Sequence, residues 1–308
     1  MKLPIFKAFL AGWAYLAAHP LTVFKILWLP TLLLMAAYAY FMPSMLDAQM
    51  QFSTIGEGED PSKVFEALGP MMKSVGWLYL LMAIVYPMMI AGVLRHVVRG
   101  EAPALPFYFQ FFGDEFRVLI AYILYLIMIV FLSVVGFLAV LVLAYVSGVV
   151  GTQVGGIITL LLVVAFVSIF IWFLLRLSVF FPAAIGSRSL GIPESWRVTK
   201  GNALGLLVYW ILWGVAIIVV ASVFMIFIAA DYFQFIGEMI AAGQDEAAQQ
   251  EISRRILEMQ RDQWNMARPG FWLFALANYL FTIVYTAMWT VASGVAYRYL
   301  SGETERAA

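Results

Sequence analysis

Residues 118–146 read VLIAYILYLIMIVFLSVVGFLAVLVLAYV and hold no charged side chain. A helix needs roughly 20 apolar residues to cross about 30 Å of hydrocarbon. Apolar and polar residues do not alternate here, as they would in a strand of a membrane barrel. The stretch therefore predicts a transmembrane helix that is long enough to tilt or to project beyond the bilayer.

Five more segments have the length and the apolar composition of a span. Two of them contain a proline, Pro30 and Pro87, which should bend the helix rather than break it, because neighbouring helices satisfy the freed carbonyls. The segments are 21–42, 76–98, 154–180, 204–229 and 271–297. We therefore expect one integral membrane domain over residues 1–308, an all-α bundle of six transmembrane helices.

Composition supports a membrane protein and excludes several other classes. Hydrophobic residues make up 64% of the chain and charged residues 12%, with a mean hydropathy of +0.93. Soluble domains are about half apolar and about a quarter charged. The net charge of zero gives no indication of a nucleic-acid partner. The chain has no cysteine, which excludes disulfides, thiolate metal sites and a cysteine nucleophile.

Lysine and arginine predict the orientation in the membrane. Twelve of the 18 basic residues flank the spans on the side that holds both termini. The opposite loops hold the other six, together with twelve of the 18 acidic residues. Basic residues concentrate on the cytoplasmic side of a membrane. We therefore expect a multi-pass protein of the plasma (bacterial inner) membrane with both termini in the cytoplasm.

Two long outer loops are predicted, at residues 43–75 and 231–270. The first contains the acidic sequence GEGEDP at 56–61, which is typical of a turn. The second has a helix N-cap, charge pairs and an apolar stripe at helical spacing. The residues of this pattern are Asp245, the pairs Glu251/Arg255 and Arg254/Glu258, and Ile252, Ile256 and Met259. The stripe would contact the membrane surface, a partner or the bundle, and we favour a cap on the bundle.

A short cytoplasmic segment precedes each odd-numbered span. The first, Ile5–Ala18, predicts an amphipathic helix that lies on the membrane, with a cytoplasmic extension of the first span as the alternative. The three segments are 6–19, 107–116 and 194–202. Each leads into a helical hairpin through the membrane. The chain is therefore expected to hold three pseudo-repeated units of interfacial helix, span, outer loop and span.

The sequence contains no catalytic signature. Motifs of zinc proteases, serine hydrolases, nucleotide-binding loops and dinucleotide-binding folds are all missing. His19 and His96 are the only histidines, and neither has a second metal ligand at helical spacing. We therefore expect a protein that is not an enzyme and has neither a metal site nor a cofactor.

Arg176 is the best candidate for an ionisable residue inside a span, because apolar sequence continues after it. Such residues indicate function by default. Its guanidinium would pair with a carboxylate or reach a lipid phosphate. The candidate carboxylates are Glu194, Asp114 and Glu115. On the sixth span, Asn278 belongs to a polar stripe that would line a cavity or, as we favour, face the bundle interior.

The most distinctive cytoplasmic sequence is GIPESWRVTKGN at residues 191–202. Pro193 suits the first turn of a helix, while Lys200 and Gly201 suit its exit. Trp196 would anchor this helix at the membrane interface. We therefore predict a short interfacial helix between two spans. The candidate lipid or ligand contacts of the whole chain are Arg176, Arg188, Glu194, Trp196, Arg197, Lys200 and Asn278.

The stretch from Arg176 to Asn202 resembles bacterial integral membrane proteins related to the glycerophosphoryl diester phosphodiesterase membrane domain and the YciC-like group. The similar residues are an arginine followed by Pro182, then Glu-Ser-Trp-x-x-Thr-x-Gly-Asn before a span, and also His19-Pro20 before a span that contains Pro30. In layout the resemblance covers most of the chain, and it implies a helical membrane fold. Some members of the group carry a soluble phosphodiesterase domain, which this chain lacks, so the resemblance implies no esterase activity.

Two functions follow from these observations. The first is a non-enzymatic envelope protein that binds a membrane partner or a lipid, which the interfacial helices and the long outer loops favour. The alternative is a transporter or carrier of a lipid or small solute, which the proline-bent spans, Arg176 and the polar stripe favour. An intramembrane enzyme is disfavoured because no catalytic constellation is found. Fold alone does not decide between these functions.

Overall fold

The computed structural model describes the backbone of residues 2–53, 61–101, 103, 106–111, 113–150, 152–228, 232–243 and 245–302. This part of the chain is all-α, as predicted, and contains no strand. Its helices, in chain order, are α1 (Ile5–Ala18), α2 (Pro20–Ser53), α3 (Pro61–Arg99), α4 (Gly113–Val150), α5 (Thr152–Leu177), α6 (Phe180–Ser187), α7 (Ile192–Val198), α8 (Ala203–Ile228), α9 (Tyr232–Ala242), α10 (Glu246–Gln263) and α11 (Pro269–Ser301).

The described residues contain six helical segments that are long and apolar enough to cross a membrane, which confirms the predicted number. They lie in α2, in α3, in α4, in α5 with α6, in α8 and in α11. Pro30 and Pro87 lie inside α2 and α3, and neither proline breaks its helix. The sequence therefore predicts both the class of fold and the positions of the spans.

The first predicted outer loop, residues 43–75, is largely helical. α2 continues to Ser53, and α3 already begins at Pro61. The hydroxyl groups of Ser44 and Ser74 lie 2.9 Å apart and join the two helices. Hydropathy alone does not detect this extension, because tertiary packing stabilises helical turns that are too polar to be part of a span. Apart from Pro61, the predicted turn at 56–61 lies outside the described residues.

The main bundle consists of α1, α2, α3, α8 and α11, which share one hydrophobic core. Most residues of α11 from 286 to 297 are buried. α3 approaches α11 closely at Gly294, where a Cβ atom would lie 2.7 Å from Cγ1 of Val97. From α8, the hydroxyl of Tyr209 donates to the carbonyl of Ala292 at 2.8 Å. α11 therefore forms the centre on which α3 and α8 pack.

The α4–α5 hairpin is attached to this bundle mainly at one end. A second hydrophobic cluster there joins α3, α4 and α6 through residues such as Leu94, Val118 and Phe180. The 38 residues of α4 are about 57 Å long, well beyond the hydrocarbon thickness. No residue in the most apolar window of α5 is buried inside the protein. Most of the hairpin surface therefore faces outward, toward the lipid in which such a surface is stable.

The second predicted outer loop, 231–270, contains two helices, α9 and α10. Asp245 caps α10 as predicted, because its side chain accepts from the N–H of Ala248 at 3.1 Å. The predicted pair Arg254/Glu258 is also present, at 2.8 Å. The amphipathic pattern of this segment is therefore confirmed for α10, while the helical residues 232–242 were predicted only as part of a loop.

α10 covers the outer ends of the bundle. Arg261 forms an ion pair with Asp47 of α2 at 2.6 Å, and Ile252 is buried. The predicted pair Glu251/Arg255 is wrong: Arg255 instead binds Glu238 at 2.6 Å, because α9 lies against α10. These contacts agree with the predicted cap on the bundle.

α1 has the predicted bounds and is a separate helix, not an extension of the first span. Its start is tied to α8, because the N–H of Leu3 donates to Oδ1 of Asn202 at 2.9 Å. Its middle packs on the indole of Trp213 in α8. Near its end, the hydroxyl of Tyr15 forms a hydrogen bond with Nδ1 of His96 in α3. α1 therefore crosses the end of the bundle from α8 to α3, and its place at the membrane interface stays a prediction.

The three predicted repeat units differ at their beginnings. The segments 6–19 and 194–202 contain α1 and part of α7, but residues 107–111 form no helix, and α4 begins only at Gly113. The side chain of Tyr108 is buried and accepts a hydrogen bond from Nη1 of Arg95 at 3.3 Å. This anchor holds the segment in a non-helical path. The interfacial helix expected in 107–116 is therefore not found in the described residues before Gly113.

Candidate functional site

The last turn of α5 is closed by two hydroxyl groups from α7. Ser195 Oγ donates to the carbonyl oxygen of Arg176 at 2.9 Å, and Thr199 Oγ1 donates to the same oxygen at 3.1 Å. Both hydroxyl-bearing residues are buried. The carbonyls of a last helical turn have no partner within the helix. Two residues of the distinctive sequence 191–202 therefore serve to cap α5.

The guanidinium of Arg176 is enclosed by aromatic rings. The residue is 5% exposed, and its Nη2 donates to the carbonyl of Trp196. Its Cζ lies 4.6 Å from the ring centre of Trp196 and 6.0 Å from that of Trp172. Cation–π contact of this kind stabilises a desolvated guanidinium. Arg176 thus joins α5 to α7 through both its backbone and its side chain.

The carboxylates expected to pair with Arg176 bind other residues. Glu194 pairs with Arg197 at 2.8 Å, and Asp114 and Glu115 pair with arginines of α3 and α4. Within the described residues Arg176 has no ion pair, so the predicted carboxylate pair is wrong. The physical reason is competition: each acidic side chain lies closer to an arginine that sequence distance alone does not assign to it.

The remaining candidates in α7 and its exit point outward. Arg197 and Trp196 are exposed, and Lys200 is exposed just after the helix. The neighbouring Glu194 carboxylate raises the pKa of Arg197, so this guanidinium stays charged and paired. Exposed pairs of this type contribute little to stability. These residues form a polar surface at the predicted cytoplasmic side.

Gly191 and Asn202 explain the two ends of the same sequence. Gly191 has φ +79°, and a Cβ atom there would collide with the carbonyl oxygen of Phe180, so only glycine fits. Asn202 precedes α8 and uses its Oδ1 to hold the N–H of Leu3. The motif that carries the family resemblance is thus an architectural joint between α5, α6, α7, α8 and the N-terminal segment.

Asn278 lies apart from the other candidates. Its Nδ2 donates to the carbonyl of Phe274 in its own helix at 2.9 Å. It precedes Tyr297, which contacts the α6 end of the molecule at Gly186, by 19 residues, or roughly 30 Å of helix. The structure therefore does not bring Asn278 to the region of Arg176. Elsewhere in the polar stripe, Thr286 and Ser293 are buried, as the interior interpretation predicts.

A charged cluster that the sequence analysis did not identify joins the end of α3 to the start of α4. Asp114 lies 2.7 Å from Nη1 of Arg99 and 2.6 Å from Nη1 of Arg117. Glu101 lies 2.9 Å from Nη2 of Arg95. The charged cluster is defined here as Arg95, Arg99, Glu101, Asp114, Glu115 and Arg117. Its members also hold α6, because Arg99 donates to the carbonyl of Ile185.

Glu115 is the buried member of the charged cluster, with 1% exposure. It accepts from the hydroxyl of Tyr108 and lies 3.4 Å from Nη1 of Arg95. Burial, together with the hydrogen bond to Glu115, raises the pKa of Tyr108, so the hydroxyl keeps the proton that it donates. The available sequence signal was the four-residue spacing of Arg95 and Arg99 opposite two acids in the first turn of α4.

An apolar recess lies between the α4–α5 hairpin and the main bundle. Its volume is about 270 Å³, and its walls come from α4, α5, α8 and α11. The residues that line the apolar recess are Tyr125, Ile171, Leu174, Leu175, Ser178, Trp210 and Trp289. The indole N–H of Trp210 has no hydrogen-bond partner within the described residues. Neither periodicity nor spacing predicts this recess, because four separate helices form it.

The two histidines of the chain meet at the junction of α1, α2 and α3. The ring centres of His19 and His96 are 5.0 Å apart, and the ring of Tyr15 lies 4.8 Å from that of His19. Among the described residues no group of three or more His, Cys, Asp or Glu side chains is placed to hold a metal ion. The sequence treated these histidines as two separate boundary residues, whereas the fold brings them together over 77 positions.

Comparison with known proteins adds no relative. No family model, no curated protein and no solved structure matches this chain. The resemblance in residues 176–202 to the glycerophosphoryl diester phosphodiesterase membrane domain and the YciC-like group therefore stays a prediction. What the structure itself establishes is an all-α chain with six apolar helices of membrane-spanning length in its described part.

Proposed function

We propose that this chain is a non-enzymatic integral membrane protein that binds a membrane lipid in the apolar recess. The observation that carries the proposal is the recess itself, which lies between the outward-facing α4–α5 hairpin and the main bundle. Ligand sites are mostly apolar cavities with a few polar groups that fix orientation. The apolar recess has this character, with Trp210, Tyr125 and Ser178 as the polar members of its wall.

The depth of the apolar recess suits an amphiphilic ligand. Trp210 is seven residues from the start of α8 at Ala203, which corresponds to about 10 Å along the helix. Ser178 lies between α5 and α6, at the same end of the bundle. This depth is close to the boundary between headgroups and acyl chains, where tryptophan side chains are enriched.

The unpartnered indole N–H of Trp210 favours a ligand with an acceptor. An unmet donor in an apolar environment is costly, and Trp N–H groups normally have a partner when buried. Ester carbonyls of membrane lipids are acceptors available at this depth. A glycerolipid with its acyl chain along Ile171 and Leu174 and an ester carbonyl toward Trp210 would satisfy both the apolar and the polar part of the wall.

The test is native mass spectrometry of the protein extracted gently from its membrane. Trp210→Phe keeps the ring and removes the donor, and we expect about tenfold weaker lipid retention. Ser178→Phe fills the apolar recess and should abolish retention. Trp272→Phe is the matched control, because Trp272 is 67% exposed near the other end of α11. Equal lipid retention in all three variants, with unchanged unfolding temperatures, would contradict the proposal.

The carrier alternative makes an additional demand. A carrier in proteoliposomes would move a fluorescent lipid between leaflets, and Ser178→Phe would stop that movement. Retention of a lipid without movement supports the binding function. We further propose that the protein lies in a plasma membrane with both termini in the cytoplasm, on the support of the twelve basic residues that flank the spans on that side.

A further inference from the structure

A charged recess opens where the end of α3, the start of α4 and the end of α6 meet. Its volume is about 420 Å³, and its walls consist of the charged cluster together with Gln110, Gly113 and Arg188. The charged cluster is neutral, since three arginines oppose three carboxylates. Arg188 therefore gives the charged recess a net charge of one positive unit.

The carboxylates of the charged recess are already shared among the cluster arginines. Asp114 lies within 4 Å of three guanidiniums, those of Arg95, Arg99 and Arg117. Glu101 likewise pairs with Arg95 and with Arg99. Arg188 is exposed and has no hydrogen bond or ion pair, a statement that holds for the described residues. The charged recess thus has one guanidinium that no acidic side chain neutralises.

The backbone of Arg188 is a second, independent indication. It has φ 52° at the C-terminal end of α6, and among the described residues it is the one non-glycine residue with a positive φ. Glycine is the usual residue at this position of a helix end, because a side chain is disfavoured there. Residues held in such conformations concentrate at functional sites. The side chain of Arg188 is therefore expected to have a role that compensates for this conformation.

We propose that the charged recess binds a phosphate group through Arg188 and Arg117. Arg117 is the most exposed arginine of the charged cluster, with a side chain 35% exposed. A guanidinium presents a planar fork of donors that matches phosphate oxygens, and phosphate contacts of arginine are often bidentate. The pairs with Asp114 hold Arg99 and Arg117 in place before a ligand arrives, which reduces the ordering cost of binding.

The position of the charged recess leaves two sources for this phosphate. It lies at the predicted cytoplasmic ends of the spans, where arginine side chains attract anionic lipids. A lipid phosphate and free inorganic phosphate offer the same oxygen atoms to Arg188. The site is separate from the apolar recess, so it does not depend on the lipid binding proposed there, and each site has its own variants.

The experiment uses the full chain in phosphatidylcholine nanodiscs. One arm adds inorganic phosphate and measures binding by calorimetry, and the other replaces part of the lipid with phosphatidic acid and measures retained lipid by native mass spectrometry. The variants are Arg188→Gly, which suits the positive φ, and Arg188→Asn, which also tolerates it. Lys200→Gly is the control, because it removes an exposed cation close in sequence that does not line the charged recess.

We expect both Arg188 variants to lose about tenfold or more in affinity, while Lys200→Gly stays within about twofold. Unfolding temperatures of the Arg188 variants should equal or exceed that of the parent, since the backbone strain is relieved. Binding in the lipid arm alone assigns the phosphate to a lipid, and binding in both arms shows a site open to free phosphate. Unchanged binding in Arg188→Gly and Arg188→Asn, an equal loss in Lys200→Gly, or no binding in either arm would overturn the proposal.

Discussion

Arg176 shows how a residue that signals function in the sequence is used for architecture. An arginine within an apolar segment indicates a ligand contact by default. In the structure its carbonyl is capped by Ser195 and Thr199, and its guanidinium is enclosed by Trp172 and Trp196. The energetic cost of burying the charge is thus offset by local contacts, and the functional interpretation moves to other arginines.

The cap on α5 makes a prediction at the scale of single residues. Ser195→Ala together with Thr199→Ala leaves a buried carbonyl without a partner, so we expect the free energy of unfolding to fall by about 1–3 kcal/mol. Unfolding in mixed detergent measures the change. Ser222→Ala is the control, because Ser222 is exposed in α8 and donates within its own helix to Ile218. A loss no larger than the control's would show that the cap contributes little.

Gly294 carries a second residue-scale prediction. Gly294→Ala places a Cβ atom 2.7 Å from Cγ1 of Val97, so we expect a loss of about 1–3 kcal/mol from overpacking between α3 and α11. Gly214→Ala in α8 meets no atom within 4 Å and should stabilise the helix by up to about 1 kcal/mol. Thermal unfolding of the two variants side by side checks the opposite signs. Equal shifts would contradict the close approach.

Among the elements, α1 has the most unusual role. It crosses the end of the bundle and contacts α8, α11 and α3, although hydropathy marks it only as a short amphipathic helix. Phe6 and Leu10 remain exposed, at 69% and 64%, and a membrane surface would cover such side chains. α1 thus combines a face that packs on the bundle with a face suited to lipid.

The attachment of α1 to α8 is testable through Asn202. Asn202→Ala removes the acceptor for the N–H of Leu3, so we expect faster hydrogen exchange in residues 3–13, by about fivefold to tenfold, with little change in the core of α11. Asn265→Ala is the matched control, because the Asn265 side chain also accepts from a backbone N–H, that of Ala267, in an exposed outer turn. Unchanged exchange in α1 would show that packing on Trp213 alone retains it.

At the scale of the whole molecule, the structure divides into a packed bundle and a hairpin that faces outward. The chain carries no charge from residue 118 to residue 175, which is the region of that hairpin. Only its base is tied to α3 and α6 by the second hydrophobic cluster and the charged cluster. The proposed lipid site lies where this hairpin and the bundle come together, and the proposed phosphate site lies at the base of the hairpin.

The absence of cysteine allows a clean test of orientation. Gln249→Cys lies in the outer helix α10, and Lys200→Cys lies after α7. In intact spheroplasts we expect a membrane-impermeant maleimide to label Gln249→Cys at once and Lys200→Cys only after permeabilisation, because basic flanks remain in the cytoplasm. The reverse pattern would place both termini outside.

The class of fold and the number of spans were determined by sequence alone. Uninterrupted apolar segments such as 118–146 have one stable environment, the bilayer, whatever their neighbours are. The helix at Ile5–Ala18 and the N-cap at Asp245 were predictable for a similar reason, since periodicity and capping act within one turn or one face of a helix.

Tertiary structure alone decided which charges and rings meet. Asp114 binds Arg99 instead of Arg176, and His19 reaches His96, because side-chain partners depend on how separate helices are placed. The non-helical segment at 107–111 has the same origin, since the burial of Tyr108 outweighs local preference. Both proposed sites arise in this way: each is formed by at least three segments that are distant in sequence, and their juxtaposition is a property of packing and not of any local pattern.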